Sequence, residues 1–268
     1  MEFKIKRPII VYNPKKENVN SIIKKIENFF KEKKIELELT SEPEKLKKRD
    51  FDIVITLGGD GTLLKAVHYF PDSIFLGVHM GKVGFLCDVN KDKIESYLEK
   101  IIKNDFSILE RETVFIEWDN KKCFALNDLL IRNEPSGRIM EFDLLIENVK
   151  FFYSADGVLI CTPTGSTAYN LALNGPILYY DLKGFCINVI APFNVNARPI
   201  VVPSGKKVYI IPKGKTNIPK LWVDGQMEFE LPLNKKILIS SNEIKIKFIS
   251  FKDRGKSIYK RLKEKFNF

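Results

Sequence analysis

Two textures of apolar spacing divide the chain. Over the first hundred residues, short apolar runs alternate with stretches of helical period. The runs at 8–12, 35–39, 51–57 and 73–78 predict strands, and 19–33, 63–69 and 94–102 predict helices. Such alternation argues for a mostly parallel, doubly wound α/β domain over residues 1–105, with ligands at the carboxyl ends of its strands. From about residue 106 the runs shorten and turns multiply. Strands are predicted at 113–118, 123–132, 141–147, 150–153, 157–161, 186–190, 200–202, 207–211, 221–223 and 236–240. One short helix, 168–173, is ended by Asn174-Gly175-Pro176. This half predicts an all-β, sandwich-like domain over 106–245. The tail 255–268 reads as a basic amphipathic helix, and no repeat or low-complexity linker interrupts the chain.

The junction of the third strand and its helix carries the first chemistry. An apolar run enters Gly58-Gly59-Asp60-Gly61-Thr62, and a helix follows at once. Glycines let a ligand approach the backbone, and a helix N-terminus offers unpaired N–H groups that suit phosphate. A carboxylate there should repel phosphate, so Asp60 needs a reason; orienting a hydroxyl that attacks a phosphoryl group is one. The dinucleotide fingerprint fails because Leu64 stands where its third glycine belongs, and the Walker pattern lacks its Gly-Lys-Ser/Thr. Alone, the loop fits as well a tight connection in which Asp60 or Thr62 caps the helix.

Two later segments bear on that choice. Leu126-Asn127-Asp128-Leu129 sets two polar residues inside an apolar strand, which sends their side chains to opposite faces and suits the hydroxyls of a sugar. A turn or edge pair facing water fits this motif equally when it stands alone. The segment from Tyr153 to Tyr169 ends a strand in a loop rich in hydroxyls (Thr162, Thr164, Ser166, Thr167) before a helix. A single cap does not account for so many hydroxyls beside Gly165 and Tyr169; a hydrogen-bonding cradle with Tyr169 stacked on a purine does. Asn196-Ala197-Arg198-Pro199 reads as a surface turn, and Asp224-Gly225 as a type I′ hairpin turn.

Composition narrows the classes. With 268 residues, 44% hydrophobic and 29% charged, the chain reads as a soluble globular protein. No apolar run approaches membrane-spanning length and the start lacks a secretory h-region, so a cytoplasmic protein is expected. Four cysteines without a Cys-x-x-Cys pair argue against a zinc site or disulfide framework, and Cys123 and Cys161 read as buried thiols. Two histidines make a His-based metal cluster or a Ser-His-Asp triad hard to build. The net charge of +10 attracts anions of any kind and decides nothing alone.

Taken in order, these segments resemble the NAD kinase family. The likeness rests on Gly58-Gly59-Asp60-Gly61-Thr62, on Gly77-Val78 with Gly81 and Gly84-Phe85-Leu86, and on Leu126-Asn127-Asp128. It continues through Asp156-Gly157, Thr162-Pro163-Thr164-Gly165-Ser166-Thr167-Ala168-Tyr169, Arg198-Pro199 with Pro203, and Asp224-Gly225-Gln226. The glycine loop alone is shared with diacylglycerol and sphingosine kinases. Three departures stand out: Asp128 where the family often has Glu, Asn174 where it has Gly, and Phe193 where it has His. The resemblance implies transfer of the γ-phosphoryl of ATP to the 2′-hydroxyl of the adenosine ribose of NAD, giving NADP, with a divalent cation such as Mg²⁺ carried by ATP and no metal cage in the protein. Asp60 would be the catalytic residue, in a phosphate loop of Gly58, Gly59, Gly61 and Thr62. The family's dinucleotide contacts fall on Asp60, Gly61, Lys65, Asn127, Asp128, Arg138, Ser154, Asp156, Thr167, Ala168, Tyr169, Asn170, Leu171, Ala172, Ala191 and Gln226. The same resemblance implies a homodimer or homotetramer, a neighbouring subunit that completes the dinucleotide site, a tail (246–268) that returns to the first domain, and neither nucleic acid nor membrane as partner. A lipid or sphingoid-base kinase leaves the 162–169 segment unexplained, and a non-catalytic nucleotide-binding protein leaves Asp60 unexplained.

Overall fold

The computed structural model describes residues 3–46, 50–81, 84–87, 89–134, 139–215, 218–251 and 262–263. The chain divides into two compact units, residues 1–110 with 246–268, and residues 111–245. Most of the predicted tail helix, 255–268, lies outside the described residues.

In the first unit the elements run β1 (Pro8–Tyr12), α1 (Val19–Glu32), β2 (Glu38–Thr40), β3 (Ile53–Gly58), α2 (Asp60–Tyr69), β4 (Ile74–His79), the two-residue β5 (Val89–Asn90) and α3 (Ile94–Ile102). The strands are parallel in the order β2-β1-β3-β4. α1 buries Val19, Ile22, Ile23, Ile26, Phe29 and Phe30, one stripe at helical spacing. That stripe and α3 cover one face of the sheet, over Ile10, Ile53, Ile55, Leu57, Leu76 and Val78. α2 packs against β1 and β3 on the opposite face, where Leu63 approaches Gly77. Each fully buried Ile, Leu or Phe contributes roughly 1.5–3 kcal/mol. The sheet is therefore doubly wound, as the spacing predicts. Strand order reverses at β1 and β3, so the β3–α2 connection opens at a switch point, the usual ligand site of such sheets.

The second unit is built from antiparallel strands. They are β6 (Ser107–Trp118, entering from the first unit), β7 (Lys121–Ala125), β8 (Asp128–Asn133), β9 (Met140–Ile146), β10 (Val149–Ala155) and β11 (Gly157–Cys161). After α4 (Tyr169–Ala172) come β12 (Gly184–Ile190), β13 (Ile200–Pro203), β14 (Val208–Lys213), β15 (Pro219–Val223), β16 (Met227–Glu230) and β17 (Ile237–Ser250). One sheet has the order β13-β12-β11-β8-β15-β16, and the other carries β10-β9-β14-β17 with β6 and β7. Their apolar faces meet in one core that includes Leu129, Ile131, Ile160, Ile187 and Val223 from the first sheet and Phe142, Leu144, Val208 and Ile210 from the second. This is the sandwich that the short alternating runs predict. Residues of the first sheet that point away from this core, such as Asp128, Cys161, Cys186 and Asn188, form its other face. β17 ends in the first unit, where Lys247 and Phe248 pair parallel with Ile74 and Phe75 of β4.

Candidate active site

In the first unit the glycine loop is the turn from β3 to α2. Gly59 is the N-cap residue, in extended backbone, and the helix starts at Asp60 with no side-chain cap. Neither Asp60 nor Thr62 caps the helix, which corrects the simpler reading of this loop. The Asp60 carboxylate turns instead to the segment after β4. The Phe85 N–H donates to Oδ2 at 2.8 Å, and the Leu86 and Cys87 N–H groups donate to Oδ1 at 3.1 and 3.2 Å. Gly84 makes this approach possible, because a Cβ there would lie 1.9 Å from Asp60 Oδ1. A carboxylate oxygen has two lone pairs, so Oδ2, with one N–H donor from this segment, has capacity for a hydroxyl.

The loop glycines differ in what requires them. A Cβ at Gly58 would lie 2.1 Å from Thr62 Oγ1, so the chain's own packing excludes a side chain there. At Gly59 and Gly61 a Cβ would meet nothing within 4 Å, and neither has a positive φ. Their openness sits beside the start of α2, where the Thr62 N–H donates to the Gly59 carbonyl at 3.0 Å and the N–H groups of Asp60 and Gly61 come before the first helical bond. One turn further on, Lys65 Nζ pairs with both oxygens of Glu44, at 2.9 and 3.0 Å, and this contact holds the Glu44 carboxyl below its usual range. His79 lies opposite Gly58 in the sheet, with Nδ1 3.0 Å from the Gly81 carbonyl.

In the second unit the predicted strand over 123–132 is broken. β7 ends at Ala125 and β8 begins at Asp128, so Asn127 and Asp128 do not sit within one continuous strand. The cause is Asp224, buried at 6% exposure: its Oδ2 accepts the Leu126 N–H at 2.9 Å, and its Oδ1 accepts those of Asn127 and Asp128 at 2.7 and 3.0 Å. Asp224 and Gly225 have φ of 50 and 62°, and the Gln226 N–H donates to the Val223 carbonyl, which makes the predicted I′ turn. The turn follows from Asp-Gly; the burial of its carboxylate does not, since the local sequence shows only an aspartate after the apolar Leu221-Trp222-Val223. Half-buried Asp128 is pushed up to about 7, by burial first and then by the Asp224 charge. Half-buried Cys123 is pushed up to about 12 for the same two reasons, and Cys161 is buried; both thiols are free.

The hydroxyls of the 162–169 segment face inward. Thr162 Oγ1 donates to the Leu126 carbonyl at 2.5 Å and accepts the Gly165 N–H, while Ser166 Oγ donates to the Pro163 carbonyl and accepts the Leu178 N–H. Thr167 Oγ1 donates to the Thr164 carbonyl at 3.4 Å. These groups fold the loop against Asn127, whose carbonyl accepts the Thr162 N–H; a Cβ at Gly165 would lie 2.0 Å from that oxygen. The expectation of a hydroxyl cradle is corrected to this extent: the Thr162, Ser166 and Thr167 hydroxyls turn to backbone carbonyls, and Ala168 and Tyr169 are the exposed residues of the segment. Asn170 is fully buried and its amide is engaged by Asn188, Pro176 and Ser166, which clamps α4 to the sheet. Leu171 is half-buried and Ala172 exposed on the same short helix. Around the end of β10, Asp156 N–H donates to the Ile190 carbonyl, Phe193 N–H to that of Ser154, and Ala191 holds a φ of 44°. Gln226 is exposed. The second unit thus sets Asp224 against Asn127 and Asp128 and folds the loop of Thr162 and Gly165 onto Asn127, and the first carries Asp60, Gly61 and Lys65 on α2. Arg138 lies outside the described residues.

A family model described as the ATP-NAD kinase N-terminal domain matches residues 9–106, and one described as the ATP-NAD kinase C-terminal domain matches residues 126–251. The chain belongs to the NAD kinase family. The NAD kinase of Fusobacterium nucleatum is 33% identical over 96% of this chain and 95% of its own, and that of Carboxydothermus hydrogenoformans 35% identical over 82% and 80%. A bifunctional NADP phosphatase/NAD kinase of Methanocaldococcus jannaschii is 32% identical over 96% of this chain and 46% of its own. The NAD kinase fold is also found in two solved structures. That of Archaeoglobus fulgidus in complex with ATP has a TM-score of 0.79 at 24% identity, covering 96% of this chain and 98% of that one. Yeast NADH kinase complexed with NADH has a TM-score of 0.84 at 20% identity, covering 100% and 89%. Among the described residues no group of three or more His, Cys, Asp or Glu side chains gathers as a metal site, and no helix is long and apolar enough to cross a membrane.

Proposed function

We infer that the chain transfers the γ-phosphoryl group of ATP to the 2′-hydroxyl of the adenosine ribose of NAD, giving NADP. The observation that carries this reading is the Asp60 carboxylate. It stands at the first residue of α2 beside two glycines whose openness nothing in the chain requires, fixed by three backbone donors. Phosphoryl transfer asks a protein for in-line positioning and charge neutralisation, with one group to orient the nucleophile. Gly59, Gly61 and the N–H groups of α2 suit the phosphate chain, and Asp60 Oδ2 accepts the proton of the attacking hydroxyl. The divalent cation arrives with the triphosphate as part of the substrate, the common habit of Mg²⁺. Lys65 meets phosphate in competition with Glu44. Asn127 and Asp128 hold the ribose hydroxyls, and the exposed ring of Tyr169 stacks on a base. Purified protein with NAD and Mg·ATP should form NADP, detected by an NADP-specific dehydrogenase; no NADP with any divalent cation overturns the reading.

The ionisation of Asp128 gives this function a pH signature. Ribose hydroxyls donate to the ionised carboxylate, so NAD affinity rises as pH climbs through about 7. The stability of the free protein moves the other way. Folded Asp128 keeps its proton up to about 7, whereas the unfolded chain loses it near 3.9, so its contribution to stability falls between about pH 4 and 7. Asp128→Asn should remove both effects. Titration calorimetry should show NAD affinity lowered by about ten-fold at pH 8 and flat with pH, and thermal melts a gain of about 1–3 kcal/mol at pH 8 that vanishes at pH 4.

A homodimer or homotetramer completes this reading. Its support is the 191–198 loop, which holds Phe193 at 85% and Val195 at 80% exposure on a frame tied to Ser154 and to Arg198. Two large apolar side chains so exposed mark a contact surface. Replacing both by Ser should lower the sedimenting mass to that of a monomer and weaken NAD binding by about ten-fold or more. An unchanged mass places the contact elsewhere.

A further inference from the structure

Three consecutive backbone N–H groups, those of Leu126, Asn127 and Asp128, converge on the carboxylate of Asp224. In a strand successive N–H groups point to opposite sides, so three cannot meet one acceptor unless the backbone leaves strand geometry. The break between β7 and β8 is therefore held open by a residue nearly a hundred positions away. The grip is mutual: the Asp224 N–H donates to the Asp128 carbonyl at 2.9 Å, and the left-handed backbone of Asp224 and Gly225 aims the carboxylate inward. We propose that Asp224, which touches no reacting atom, is the positioning residue that presents Asn127 and Asp128 to the ribose of the dinucleotide and sets how tightly NAD is held. This rests on the dinucleotide reading of those two residues.

The placement has an electrostatic cost that packing alone does not explain. Two carboxylates, Asp224 and Asp128, share one end of the sheet: Asp224 Oδ1 accepts the Asp128 N–H, the Cys161 thiol lies opposite Asp128 on β11, and the Cys123 thiol on β7 feels the Asp224 charge. A purely structural acceptor for these N–H groups is available in a neutral amide or hydroxyl without that repulsion. A second negative charge beside Asp128 instead ties the ionisation of the ribose-binding carboxylate to the residue that positions it.

The test is Asp224→Asn in the full-length protein. Asn tolerates the left-handed backbone, and its amide keeps one acceptor oxygen while setting an NH₂ against a backbone N–H. The expected result is a KM and a calorimetric Kd for NAD raised about ten-fold or more, with kcat at saturating NAD and KM for ATP within about three-fold. The pH midpoint of NAD binding should also move below that of the parent protein. A merely structural role would lower kcat and weaken both substrates together. Should Asp224→Asn not fold, Gly225→Ala, at a φ of 62°, disturbs the same turn with the carboxylate retained, and a smaller NAD-selective rise of about three-fold or more is expected. A folded variant with unchanged NAD affinity and midpoint overturns the proposal while the parent enzyme still makes NADP. A parent protein that neither binds NAD nor makes NADP overturns the functional reading and this role with it.

Discussion

Asp60→Asn should lower turnover by about 10²–10⁴-fold, the range over which one positioned base acts, while NAD still binds. The geometry gives the reason and a side effect. An amide oxygen can take over from Oδ1 in accepting the Leu86 and Cys87 N–H groups, but its NH₂ then faces the Phe85 N–H and can neither accept from it nor take a proton from the hydroxyl. A donor left facing a donor costs about 1–3 kcal/mol, visible as a lower melting temperature. A two-fold change in kcat would mean that Asp60 serves the loop and not the chemistry. Steady-state kinetics beside calorimetric NAD binding separates the two.

Gly84→Ala should damage turnover as deeply without altering any group that meets substrate. The new Cβ would sit 1.9 Å from Asp60 Oδ1, 2.5 Å from Cγ and 2.7 Å from Oδ2, an overlap that shifts of a few tenths of an ångström do not relieve. The carboxylate has to swing away and the three N–H donors lose their acceptor, so kcat should fall by about 10²-fold or more. Stability should drop by about 1–3 kcal/mol. Combining Gly84→Ala with Asp60→Asn should cost little more than either alone, because residues that act as one unit are not additive. Independent, multiplying losses would contradict the shared role.

What was legible in the sequence was what is local. The β3–α2 turn with its Gly-Asp-Gly spacing, the stripe of α1 and the change of texture past residue 105 follow from neighbours a few positions apart. The hold on Asp60 comes from residues 25 to 27 positions on, so the loop read as well as a capped helix as it did a site. Periodicity ran 123–132 together for the same reason: the acceptor that breaks it, Asp224, follows 96 to 98 residues later. In the 162–169 segment the sequence shows hydroxyls and not their direction, and burial turned them inward. What remained for a ligand was Ala168 and Tyr169 at the surface. The departure at Asp128 was plain in sequence, but its displaced ionisation was not, since that needs the Asp224 carboxylate beside it.

The Asp60 site should direct phosphate to one hydroxyl of NAD. The most direct measurement is phosphorus NMR of the product formed from NAD and Mg·ATP by the parent protein and by Asp60→Asn in parallel. The expected product is a single new monophosphate on the 2′-oxygen of the adenosine ribose, formed about 10²–10⁴ times more slowly by the variant. Phosphate on any other oxygen, or equal rates for the two proteins, would contradict it.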